Sequence, residues 1–140
     1  MLGPLDEYPP VHQAPLPIAW PNSSDRNFYD RSYFNCHDRT GDIFLITGIG
    51  YYPPNLGVKD AYVLVRRGGD TQTAVHVSDA IDQDRLNQHC NGYRLEVVEP
   101  LQKIRIVMDE TEGMAIDLTW EGLFPPVVQE QPHIMRQATG

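Results

Sequence analysis

Positive charge is scarce in this chain: 11 Lys and Arg stand scattered against 19 Asp and Glu, for a formal net charge of −8. A protein that tracks a phosphate backbone relies on a cationic footprint, so nucleic acid is set aside as a partner. Long apolar runs are also missing, and none approaches the roughly 20 residues a membrane-spanning helix needs. The N-terminus, Met1-Leu-Gly-Pro-Leu-Asp-Glu-Tyr8, has neither the basic segment nor the apolar core of a secretory signal, which makes the cytoplasm the expected compartment. Cysteine is limited to Cys36 and Cys90, far apart in sequence, and in a reducing compartment they are expected as free thiols. His37, His76, His89 and His133 show no metal-ligand spacing, so neither a metal nor a cofactor is expected. Gly48-Ile-Gly50 runs into Tyr51-Tyr-Pro-Pro54 where a dinucleotide fingerprint needs a third glycine opening a helix, and it reads instead as a bend in a strand.

What is present is the grammar of an antiparallel sheet. At 140 residues, 41% hydrophobic and 21% charged, the chain fits one domain that buries about two-thirds of its unfolded surface. Met1 to Asn22 is proline-rich without periodicity and is expected as an extended arm wrapping the domain or crossing to a neighbour, anchored by Trp20. Ser23 to Asp30 could form a short turn with Phe28 and Tyr29 packed inward. From there the period is two, and strands are expected at Ser32 to His37, Asp42 to Tyr52, Ala61 to Arg67, Thr71 to Ser78, Tyr93 to Glu99, Lys103 to Met108 and Met114 to Glu121. The turns Asp38 to Gly41, Arg67-Gly-Gly-Asp70, Pro100-Leu-Gln102 and Asp109 to Gly113 join them into a meander. Asp79 to Asn91 reads as a loop. The expected architecture is all-β, one curved, antiparallel sheet spanning 23–126, with 127–140 a linker or the start of a second unit.

Late in the chain the alternation is clearest. Leu95, Val97, Ile104, Ile106, Met108, Ile116, Leu118 and Trp120 fall on one face, and Arg94, Glu96, Lys103, Arg105, Asp117, Thr119 and Glu121 on the other. Glu96, Arg105 and Asp117 are expected to pair across strands and help fix register.

Seven short strands do not close comfortably into an eight-stranded barrel. Trp20, Ser24-Asp25, Tyr33-Phe-Asn-Cys-His-Asp38, Gly41-Asp42, Gly48-Ile-Gly-Tyr-Tyr-Pro53, Gly57-Val-Lys-Asp-Ala61, Leu95-Glu-Val-Val-Glu-Pro100 and Leu118-Thr-Trp-Glu-Gly122 resemble the N-terminal half of an uncharacterised actinobacterial family. That family is similar to the hydroxyneurosporene synthase (carotenoid hydratase) and tocopherol cyclase group of lipocalin-like (calycin-type) proteins. The resemblance implies a chain built of two lipocalin-like β units with an apolar ligand, an isoprenoid, steroid or other lipid, held inside or between them, and a sequence that stops where the second unit would begin.

Candidate site residues cluster near the first hairpin. Asp38 and Asp42 could supply the acid pair that protonates an alkene and positions water in a hydratase or cyclase. Tyr33, Asn35, His37, Tyr51, Tyr52, Asp60 and Trp120 are the candidate ligand-binding residues, their aromatic faces suited to a carbocation. The plainer reading of Asp38-Arg-Thr-Gly-Asp42 is a turn whose Asp side chains bond the turn backbone. Two functions fit these residues: an apolar-ligand binder or lipocalin-like enzyme half, and a structural or interaction module acting through an open sheet edge. Either a homodimer or pairing with a second lipocalin-like unit would satisfy that edge.

Overall fold

In the computed structural model the described residues are Gly3, Glu7 and residues 25–52, 56–69, 71–82, 84 and 86–127. Among them the protein is all-β with no helix, and none therefore is long and apolar enough to cross a membrane. Eight strands follow in order: β1 (Asp30–His37), β2 (Ile43–Tyr52), β3 (Val58–Arg67), β4 (Thr71–Ala80), β5 (His89–Cys90), β6 (Tyr93–Glu99), β7 (Lys103–Thr111) and β8 (Met114–Glu121). They form two antiparallel meanders, β1-β2-β3-β4 and β5-β6-β7-β8, where one sheet was expected. The division falls in the polar stretch between Ala80 and His89, whose described residues belong to no strand. Trp20, Ser23 and Ser24, and the proposed start of a second unit beyond Val127, lie outside the described residues.

The sheets share one core and their strands cross. At one end of β8, Trp120 packs on Phe34 of β1 and donates its Nε1–H to the Asn35 carbonyl at 3.3 Å. At the other end, Met114 lies opposite Thr71 and Thr73 of β4. A single strand that reaches from β1 to β4 must run across the first sheet, as in orthogonally packed sandwiches. At the far end of β4 and β3, Cys90 Sγ lies 3.6 Å from the Lys59 carbonyl and 3.7 Å from that of Val77, and Asn91 Nδ2 donates to the Ser78 carbonyl at 2.6 Å. Between these corners Ile49, Ala61, Val63, Val75, Tyr93, Ile106 and Met108 are fully enclosed. Burial of each larger side chain contributes about 1.5–3 kcal/mol. The buried Thr47 hydroxyl donates to the Tyr62 carbonyl at 2.7 Å and lies 3.1 Å from the Tyr93 hydroxyl, bridging the sheets with a satisfied polar contact.

Turn chemistry matches the strand boundaries. Thr111 pairs with Met114, leaving Glu112-Gly113 as a two-residue turn with both φ positive (52° and 77°), the combination that suits the twist of a hairpin. Asn91-Gly92 joins the unexpected β5 to β6 in the same two-residue span. Glu96 does oppose Arg105 and lies 3.3 Å from it, while Asp117 reaches Arg105 through a two-toothed contact at 2.8 and 2.7 Å. Part of the arm is placed: Glu7 accepts the Leu101 N–H at 2.5 Å, holding it against the β6–β7 turn. Of the two aromatics expected to pack inward before β1, Phe28 is half-buried but Tyr29 is 59% exposed and stacks on Tyr52. Both cysteines are free thiols.

The Gly48-Ile-Gly50 segment is not a bulge. The ladders from β1 through β2 to β3 pass both glycines without a register shift. Their reason is close approach: a Cβ on Gly48 would lie 2.2 Å from the Ser32 carbonyl oxygen, and one on Gly50 would meet Asp60 Oδ1, Arg31 Nε and the Tyr52 hydroxyl at 2.9–3.1 Å.

Candidate functional site

The register of the first sheet builds a cleft at its open end. Alternation turns every second side chain inward, so successive inner rows read Ile43–Arg67–Thr71 at the rim and Cys36–Leu45–Val65–Thr73 one step deeper. Met114, Ile116 and Leu118, the inner face of β8, form the opposite wall. Because β8 crosses the first sheet, its start stands away from the rim rows and leaves a cleft of about 600 Å³ between them. The lining is mostly apolar, with Arg67 and Thr71 in the rim row, Thr73 one step deeper, and Asp117 on the outer face of β8 beside the opening. Asp117 is held by Arg105, which lowers its carboxyl below the usual range and offsets its charge. Burial raises the Cys36 thiol, so the one cysteine on the wall is a neutral, weakly polar group and not a nucleophilic thiolate.

The residues singled out by sequence do not line this cleft. Asp38 belongs to the β1–β2 turn: its carboxylate accepts from the Ile43 N–H at 3.0 Å, the Thr40 N–H at 3.3 Å and the Thr40 hydroxyl. Those hydrogen bonds, the Thr40 hydroxyl first, hold its carboxyl at about 2. The carboxylate is taken up by its own turn. Asp42 is exposed in the same turn, its N–H donating to the Thr40 hydroxyl at 3.3 Å and its carbonyl accepting from the Gly68 N–H at 2.8 Å. Tyr33, Asn35 and His37 alternate along the outer face of β1, with Tyr33 56% exposed and His37 Nδ1 2.7 Å from the Asp38 carbonyl oxygen. Tyr51 is 1% exposed inside the core, and its hydroxyl has no hydrogen-bond partner among the described residues. Burial first, then the nearby Asp82, pushes its phenol far above the usual range.

Tyr52 and Asp60 do meet, on the outer face. Asp60 lies 3.3–3.4 Å from the Tyr52 hydroxyl, 3.4 Å from Arg31 Nη2 and 3.3 Å from His76 Nε2. Arg31 sits over the Tyr52 and Tyr62 rings at 5.9 and 5.7 Å and donates to the Tyr52 hydroxyl. Gly50, opposite both Arg31 and Asp60 in register, supplies the room for this convergence. Arg31, Tyr52 and His76 thus converge on Asp60, which fits a role in pinning the outer face.

At the inner end of the first sheet, Tyr51 lies between Asp30 and Lys59 in one row. Lys59 is 3% exposed and bonds Asp82 at 3.0 Å. Among the described residues no group of three or more His, Cys, Asp or Glu side chains is arranged to hold a metal ion.

No curated protein and no solved structure matches the chain. A family signature covers residues 2–138, almost the whole length, and on that match the chain belongs to a family of unknown function, DUF8625.

Proposed function

We propose that this protein binds an apolar small molecule, isoprenoid, steroid or other lipid-like compound, in the cleft between its two sheets. The observation that carries this reading is the cleft itself: about 600 Å³ in the range of small-molecule sites, with Leu45, Val65, Met114, Ile116 and Leu118 on its walls and few polar side chains among them. Asp38 and Asp42 are not on those walls, so the reading is of a binder. The test is titration with the uncharged fluorophore N-phenyl-1-naphthylamine. Ile116→Trp, or Thr73→Phe where the first variant loses stability, is expected to fill the cleft and weaken binding about tenfold or more. Val98→Trp, on an exposed position away from the cleft, leaves it unchanged. Undiminished binding by the folded cleft-filling variants overturns the proposal.

A second reading rests on β4. This edge strand has ten residues in unbroken register with β3, and Asp79 is its only formally charged side chain. Lys, Pro or a bulge is what usually blunts such an edge, and none is present. Antiparallel pairing of two β4 edges would make a homodimer with a continuous sheet. Light scattering at micromolar concentration is expected to show a dimer that Ala74→Pro dissociates; a wild-type monomer sinks this reading.

A further inference from the structure

We propose that the ligand of the cleft carries a carboxylate head, which Arg67 receives at the mouth. The inference rests on the reading of the cleft as a ligand site and adds the chemistry of what enters it. Alternation places Arg67 on the inner face of β3, in the same parity as the core residues Ala61, Val63 and Val65. It lies between Ile43 and Thr71 in the rim row. An apolar residue would continue that stripe, and a cation stands there instead.

Most cations of the strands are spoken for, and Arg66, which has no ion pair among the described residues, faces away from the cleft on the outer face of β3. Arg31, Lys59, Arg94, Lys103 and Arg105 each pair with a carboxylate. Arg67 has no ion pair among the described residues, and it is the one cation that lines the cleft. The single acid in the lining, Asp117, belongs to the outer face of β8, where Arg105 binds it bidentately, and it does not compete. Thr71 and Thr73 add two hydroxyl donors beside the guanidinium. In a chain of net charge −8, an unpaired guanidinium over an apolar cleft is a local reversal of sign.

One guanidinium with two neutral hydroxyls matches the single charge and planar fork of a carboxylate. A phosphate monoester brings nearly twice the charge and would leave part of it unmatched. The favoured occupant is therefore an aliphatic or isoprenoid acid, its chain against Leu45, Val65, Ile116 and Leu118 and its head at Arg67.

Decanoate, decanol and decyl phosphate, each displacing N-phenyl-1-naphthylamine from the full chain near neutral pH, separate the possibilities. Decanoate is expected to bind about tenfold tighter than decanol, and Arg67→Gln to abolish that difference while sparing decanol. Arg66→Gln, one residue away on the outer face, preserves the preference. Equal affinity for acid and alcohol in the wild type, survival of the preference in Arg67→Gln, or tighter binding of the phosphate overturns the carboxylate assignment. In those cases fluorophore binding that Ile116→Trp abolishes still upholds the cleft. Absence of fluorophore binding to the wild type removes both.

Discussion

Gly48→Ala is expected to destabilise the fold by about 2–3 kcal/mol, read as a lower denaturant midpoint at unchanged slope. The added methyl would lie 2.2 Å from the Ser32 carbonyl oxygen, far inside contact distance, and the obstacle is backbone, not a flexible side-chain end. Relief requires β1 to move away from β2, which strains the pairing of Tyr33 with Gly48 and its neighbours. It also pulls on Phe34, whose ring packs on Trp120 of the second sheet. Gly50→Ala is the internal comparison. Its methyl meets only side-chain atoms of Asp60, Arg31 and Tyr52, so those groups can swing outward and the cost falls to about 1 kcal/mol. Equal midpoints for Gly48→Ala and the wild type would remove the close-approach explanation.

The two glycines also show how far the sequence speaks. Their presence in a bulky strand signals a constraint, but the same pattern serves a bend or a close approach, and only the unbroken ladder distinguishes them. Strands with clean alternation, β6 to β8, are legible to within a few residues because one face is core and the other carries the Glu96–Arg105–Asp117 charges. β5 escapes notice at two residues, although Asn91-Gly92 is a strong hairpin signal that could have revealed it. β3 starts three residues before Ala61 because Val58-Lys59-Asp60 looks like loop. What makes it strand is pairing on both sides, with Gly50–Tyr52 of β2 and Ser78–Ala80 of β4. The crossing of the sheets leaves no local trace at all, and the cleft follows from that crossing. On β1 the polar and aromatic candidates Tyr33, Asn35 and His37 face outward, whereas Phe34 and Cys36 are the ones that parity turns inward. Arg67, Thr71 and Thr73 read as strand residues in the sequence, but only the pairing of β3 with β4 shows that they share the inner rows.

Asp82→Asn is expected to cost about 2–3 kcal/mol, because it strands the Lys59 ammonium. Removing one member of a fully buried pair costs about 3–5 kcal/mol; the figure here is lower because Asp82 is 41% exposed and water retains part of its role. Lys59 itself is 3% exposed, its ammonium 3.0 Å from Asp82, with the Tyr51 ring beside it in the row. Asn87 Nδ2 also donates to the same carboxylate oxygen at 2.8 Å, and the Asp84 N–H donates to the other, so Asp82 organises the loop between β4 and β5 as well as the lysine. These hydrogen bonds and the ammonium outweigh the desolvation that opposes them and hold the Asp82 carboxyl below its ordinary value. A folded-state pKa below the unfolded one means that the stabilisation is present above the unfolded value. It is lost as pH falls from about 4 through the depressed folded pKa. Wild-type stability is thus expected to decline below about pH 4, with a weaker decline in Asp82→Asn. Lys59→Met, which keeps length and removes the charge, is expected to be near neutral alone and to rescue much of the loss in combination with Asp82→Asn. If the double variant is as unstable as Asp82→Asn, the loss comes from the loop contacts and not from a stranded ammonium.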